Sequence, residues 1–199
     1  PTEADHASDH LRARWREHWS ALRGRMEHAG APLAVGIGAT GPVDRATGRL
    51  LDVPNAGPGL QGVELVAEFR ELSGVPVTLE RDTCAALLAE AGSGHGAGCS
   101  ELVYLTVSTG VGGAAMTGGQ LMLGRTGGAG EIGHMIADPL GPLCGCGRRG
   151  CLEAIAAGPA IAEVARRRLD DPAAATLRGI VEDAGSPVTG LQVSIAAAA

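Results

Sequence analysis

Three of the five cysteines in this 199-residue chain, Cys144, Cys146 and Cys151, fall within eight residues, and His134 stands ten residues before the first of them. Soft thiolates with one imidazole are the donor set of a closed tetrahedral zinc site, and Gly145, Gly147 and Gly150 between them let a backbone wrap a small ion. A disulfide is a poorer use of these residues, because the two members of a Cys-X-Cys pair are badly placed to bond each other. A redox thiol cluster and plain buried thiols are the alternatives to a metal. Cys84 and Cys99 lie outside the cluster and are expected to be dispensable for it.

Two glycine patterns invite a nucleotide reading. Gly36, Gly38 and Gly41 spell Gly-X-Gly-X-X-Gly, and Gly110, Gly112 and Ala115 fit its weaker form. Both patterns follow an apolar run, but neither opens a helix as a dinucleotide site requires. The first leads through Pro42 into a hairpin turning at Ala46-Thr47-Gly48, and the second into a hairpin turning at Thr117-Gly118-Gly119. A strand–turn–strand with exposed backbone N–H groups is instead a phosphate-binding nest. Asp82, where an apolar run gives way to a helical pattern, reads on its own as a helix N-cap. Asn55, in Val53-Pro54-Asn55-Ala56-Gly57, reads as a turn residue.

His134 followed by Cys-X-Cys-Gly-X-X-Gly-Cys-X-Glu, with Glu131 and His134 in Gly-Glu-Ile-Gly-His and Glu153 at the close, resembles the signature of the ROK family of bacterial sugar kinases, repressors and related reading frames. Further motifs agree from about residue 33 to residue 165. The resemblance implies an α/β chain of actin-like, ribonuclease H-like architecture with a zinc-binding insert. An N-terminal domain would run over residues 1–98 and a C-terminal domain over 99–199. It implies ATP-dependent phosphorylation of a hexose, with glucose ahead of N-acetylmannosamine or fructose. Asp82 would be the general base, and Asn55, Asp82, Glu131, His134 and Glu153 would contact the sugar. Thr109, Gly110, Gly112 and Gly113 would hold phosphate, and magnesium would neutralise its charge. His134, Cys144, Cys146 and Cys151 would hold a structural zinc, and the full-length protein would be a homo-oligomer, a dimer.

Two departures from the family pattern qualify that expectation. Arg81 stands where the family usually has Asn before the base, and no Asp-X-Gly-Gly-Thr phosphate loop occurs in the sequence. The chain therefore reads as an incomplete piece of the fold, truncated at both ends. A sugar-sensing regulator of the ROK repressor type and an inactive fragment are the alternatives; those repressors carry an N-terminal helix-turn-helix that this sequence lacks.

The elements that must position these residues follow from periodicity. Leu11, Trp15, Trp19, Leu22 and Met26 share one face of a helix over residues 9–28, a stripe expected to pack against a core. Residues 31–38 and 75–79 read as strands flanking a helix over 60–73. Glu80-Arg81-Asp82 opens a helix that ends at Gly92, and Gly92–Gly98 is a connection between halves. Residues 102–107 read as a strand, and 152–157, 161–169 and 173–184 as helices broken at Asp171-Pro172. The closing GLQVSIAAAA does not look like a domain end, and its alanine run is the only low-complexity tract.

Aromatic residues are only 2% of the chain, so its interior must be built from Ala, Val, Leu and Ile. A net charge of −6 argues against a nucleic-acid surface, which needs clustered Lys and Arg; Arg148 and Arg149 are an isolated pair. No apolar run approaches the ~18 to 20 residues of a membrane span. Nothing resembles a signal peptide. The expectation is a soluble protein in a reducing, cytoplasmic setting, binding neither nucleic acid nor membrane.

Overall fold

The computed structural model describes residues 3–26, 30–51, 60 and 62–199. The chain divides into two compact units, Pro1–Cys99 with Leu121–Ala129, and Ser100–Gln120 with Gly130–Ala199.

The first unit opens on helix α1 (Glu3–Arg25), followed by strand β1 (Val35–Ala39), the hairpin β2 (Val43–Asp44) and β3 (Arg49–Leu50), helix α2 (Leu65–Ser73), strand β4 (Val77–Arg81) and helix α3 (Asp82–Ser93). β1 and β4 pair in parallel, from Val35 opposite Val77 to Ala39 opposite Arg81. Their inward residues meet the hairpin and α2 in a core of Ala39, Val43, Leu50, Leu65 and Leu79. α1 joins through Trp15, whose ring lies 5.7 Å from that of Phe69, and through Arg12, whose Nε donates to Glu68 at 2.7 Å. The rest of its stripe packs less than the periodicity suggests, since Leu22 is exposed.

α2 begins at Leu65, five residues later than the apolar pattern suggests. Gly62 donates to the Leu50 carbonyl and Leu50 donates to that of Val63. Those backbone groups extend the hairpin edge and cannot also serve a helix. The hairpin turn is as expected, with the Asp44 carboxylate accepting the Ala46 and Thr47 N–H groups at 2.9 and 3.3 Å.

The second unit holds strands β5 (Leu102–Val107) and β6 (Val111–Thr117), joined to the short β7 (Gln120–Leu121) in one antiparallel sheet of order β5-β6-β7. Helices α4 (Leu152–Ala156), α5 (Gly158–Arg166), α6 (Ala175–Ala184) and α7 (Gly190–Ala198) follow. α5 starts at Gly158-Pro159, earlier than its apolar residues indicate, because proline is accepted in a first helical turn where no N–H partner is needed. The closing segment is helical through Ala198. Thr189 and Gln192 form a reciprocal capping box at its start, and Val193 and Ala196 pack on a core of Ala162, Leu177 and Val188. No described helix is long and apolar enough to cross a membrane.

Candidate metal centre and the residues around it

The cluster is assembled by a few backbone bonds within residues 134–152. The Cys144 N–H donates to the Arg148 carbonyl at 2.7 Å and the Gly147 N–H to the Cys144 carbonyl at 2.9 Å, closing a knuckle around Cys146. Bridges join Ile136 to Cys151 and Leu143 to Arg149. Gly150 has φ +72, and a Cβ there would fall 1.5 Å from the Asp138 carbonyl oxygen, so the turn that delivers Cys151 admits glycine alone.

One ligand atom from each of His134, Cys144, Cys146 and Cys151 lies within 4.8 Å of all the others. The Cys146 and Cys151 sulfurs are 3.6 Å apart, and Cys144 Sγ is 3.8 Å from His134 Nδ1. Ligands of a tetrahedral zinc with ordinary bond lengths stand about 3.6 to 3.8 Å from one another, so the residues fit the ion. All five cysteines are free thiols. The Arg148 backbone N–H, with its side chain, holds the Cys146 thiol down to about 6, while burial pushes Cys151 up to about 11. One thiolate is thus available near neutral pH, and a bound divalent cation would favour ionisation of the others.

Glu131 precedes and His134 closes a 3-10 turn, Ile132–His134, in which His134 N–H donates to the Glu131 carbonyl at 3.0 Å. The turn is pressed against β6. A Cβ on Gly133 would fall 1.9 Å from the Val111 carbonyl oxygen, and one on Gly113 would fall 2.5 Å from Ile132 Cδ1. Gly133 of Gly-Glu-Ile-Gly-His and Gly113 of β6 are therefore two sides of one close approach.

The turn between β5 and β6 carries Thr109 and Gly110, whereas Gly112 and Gly113, expected in the same loop, lie inside β6 opposite Thr106 and Leu105. Ser108 N–H donates to the Gly110 carbonyl at 2.8 Å, and the Ser108 carbonyl accepts Gly158 N–H at 2.8 Å. The Val111 N–H donates to Glu153 Oε2 at 3.1 Å. The N–H groups of Ser108 and Val111, on either side of the turn, are thus used within the protein, and Thr109 and Gly110 form its tip. Glu153 also lies beside the cluster, its Oε1 3.9 Å from Cys144 Sγ.

In the first unit, Asp82 is the first residue of α3, and Arg81, extended at φ −64 and ψ 143, occupies the N-cap position. Asp82 thus stands one residue inside the N-cap position read for it, and the Arg81 side chain makes no capping bond, because β4 runs straight into the helix. Asp82 still places its negative charge in the first turn, where the helix dipole favours it. Its Oδ1 accepts Thr83 N–H at 2.7 Å, and its Oδ2 accepts the Thr40 hydroxyl at 3.4 Å. Thr40 was not singled out from sequence; its position after β1, parallel to β4, is the signal that could have found it.

Arg81 is buried at 3% exposure, with Nη2 donating to the Ala129 carbonyl at 2.5 Å and lying 3.3 Å from Cys84 Sγ. This guanidinium points inward and ties β4 to the Leu121–Ala129 segment of its own unit. Asn55 lies outside the described residues.

The sequence matches the ROK family over residues 20–197, and the chain belongs to that family. It is 44% identical over 127 residues to a glucokinase of Thermotoga maritima, covering 64% of this chain and 40% of that protein. It is 43% identical over 154 residues to an N-acetylmannosamine kinase of Shigella boydii, covering 75% of this chain and 52% of that protein. Among solved structures, a ROK family glucokinase from Streptomyces griseus in complex with glucose and AMPPNP superposes with TM-score 0.74 at 34% identity, covering 90% of this chain and 58% of that one. A ROK family transcriptional regulator, a homolog of the E. coli MLC protein, superposes with TM-score 0.71 at 28% identity, covering 83% of this chain and 41% of that one. The fold is the actin-like fold of the ROK sugar kinases, and the chain spans about half the length of the curated relatives it matches.

Proposed function

We propose that the complete protein phosphorylates a hexose with ATP, with glucose as the first substrate to test and N-acetylmannosamine and fructose next. The observation that carries this reading is the setting of Asp82. An exposed carboxylate stands at the junction of a half-buried parallel strand and a helix, with the Thr40 hydroxyl on one oxygen and a backbone N–H on the other. Held this way, Asp82 takes the proton from the attacking sugar hydroxyl as the phosphoryl group transfers in line. Asn55, Glu131, His134 and Glu153 orient the sugar, and the tip of the turn at Thr109 and Gly110, with Gly112 and Gly113 behind it, holds phosphate. Magnesium, when bound, neutralises the polyphosphate. Zinc, when bound to His134, Cys144, Cys146 and Cys151, fixes the loop that carries Glu131 and Glu153. In this reading residues 1–98 supply the base and 99–199 the phosphate turn and the metal cluster, and the full-length protein is a dimer.

The kinase relatives and the glucose-bound structural neighbour support the class. The regulator among the structural neighbours favours a second reading, sugar binding without phosphoryl transfer. Sugar-dependent ADP formation by the full-length protein separates the two, with Asp82→Asn as the control for a contaminating kinase. Sugar binding with no turnover for glucose, N-acetylmannosamine or fructose would select the regulator.

A further inference from the structure

Glu153 stands where the metal cluster and the glycine-rich turn come together. It is two residues beyond Cys151, in the first turn of α4, whose N-cap position Cys151 occupies. Its Oε2 accepts the Val111 N–H at 3.1 Å, and its Oε1 is 3.9 Å from the sulfur of Cys144. A Cβ on Gly110 would lie 2.5 Å from Oε2, so the turn has glycine where the carboxylate passes beneath it. The Ser108 end of the same turn is held separately by Gly158, at the start of α5.

We propose that Glu153 is a positioning residue that couples occupancy of the metal cluster to the shape of the glycine-rich turn. A metal held by Cys151 fixes the start of α4, α4 aims the carboxylate, and the carboxylate pins the Val111 N–H. The turn is then shaped before any phosphate arrives, which is the condition for a backbone site to act without reorganising. Glu153 would thereby serve the phosphate side of the reaction as well as the sugar. The inference rests on reading residues 108–113 as the phosphate turn and the cluster as a metal site, but its test does not depend on catalysis.

The test is residue-resolved hydrogen exchange on the full-length protein, metal-loaded and after chelation, with metal content measured in each sample. The amides of β5 serve as the control for global unfolding. A hydrogen bond to a charged acceptor contributes enough that its loss should speed exchange at Val111 roughly ten- to hundredfold. That acceleration is expected on chelating the parent. It is expected equally in Glu153→Ala with its metal retained, and chelating Glu153→Ala should add little more. Glu153→Gln, which keeps the shape and a neutral acceptor, should fall between. Unchanged exchange at Val111 in a folded Glu153→Ala protein would overturn the proposal. So would chelation accelerating Val111 by the same factor in the parent and in Glu153→Ala. A protein that shows this coupling without kinase activity would count against the proposed function alone.

Discussion

Gly133 approaches the Val111 carbonyl so closely that a Cβ on it would lie 1.9 Å from that oxygen. The neighbour is backbone of a paired strand and cannot swing aside as a side chain end can. Gly133→Ala should therefore displace the 3-10 turn from β6 and cost about 3 kcal/mol, at the upper end of what overpacking usually costs. Denaturant unfolding measures it, and an unchanged midpoint would show that the approach is not a constraint.

Purified protein should hold one zinc per chain. A structural zinc contributes on the order of 10 kcal/mol apparent to a small motif, so chelation should loosen residues 134–152 and lower the melting temperature. Cys144→Ser or Cys151→Ser should abolish retention, whereas Cys84→Ser and Cys99→Ser should not. Elemental analysis finding no zinc, with melting indifferent to a chelator, would refute the assignment.

Asp82→Asn distinguishes two roles by magnitude. As a mere helix-start residue, Asn should serve nearly as well and leave turnover intact. As the general base, its loss should cut turnover of the full-length kinase by about two to four orders of magnitude while the melting curve stays in place. Full turnover in the variant would remove Asp82 from the mechanism.

Arg81→Asn, which restores the residue usual in the family, should destabilise this chain. Asn is too short to replace the guanidinium that reaches the Ala129 carbonyl and would leave that acceptor without its charged donor. The expected cost is about 2 to 4 kcal/mol, in the range for breaking a buried polar network. A neutral or stabilising result by thermal unfolding would mean that the 121–129 segment is held by other contacts.

Acid should loosen the first hairpin. Thr47, through its side chain and backbone, and Ala46 hold the Asp44 carboxyl below its ordinary value. Its folded value is depressed, so the stabilisation is present above the unfolded carboxylate range and is lost as pH falls through the folded value. NMR titration should find the Asp44 midpoint below that of an unstructured Asp and absent from an Asp44→Asn variant. A midpoint at the ordinary value would contradict the turn geometry.

How much of this was legible in the sequence depended on how far apart the partners lie. The four side chains that come together at the candidate metal centre all lie within residues 134–151, and Asp44 and Thr47 within one turn, so spacing and residue type were enough to group them. The position of Asp82 was readable to within one residue, because a strand flowing into a helix leaves the cap ambiguous. The start of α2 departs from the apolar pattern because Gly62 and Val63 pair with Leu50, a partner that apolar periodicity cannot show. α7 has no amphipathic pattern, because its alanines give it no polar face, but Thr189 and Gln192 have the spacing of a capping box. The bond between Val111 and Glu153 spans 42 positions, and the inward turn of Arg81 depends on a carbonyl 48 positions away. No local pattern carries contacts of that range.

Cys99 is exposed and stands apart from the cluster, and Cys84 is buried. A thiol reagent added to metal-loaded protein should therefore label one site quickly, and additional sites once the metal is stripped. Labelling stoichiometry thus becomes a gauge of how many molecules in a preparation carry their metal, and Cys99 a single attachment point for a spectroscopic probe that leaves the cluster intact.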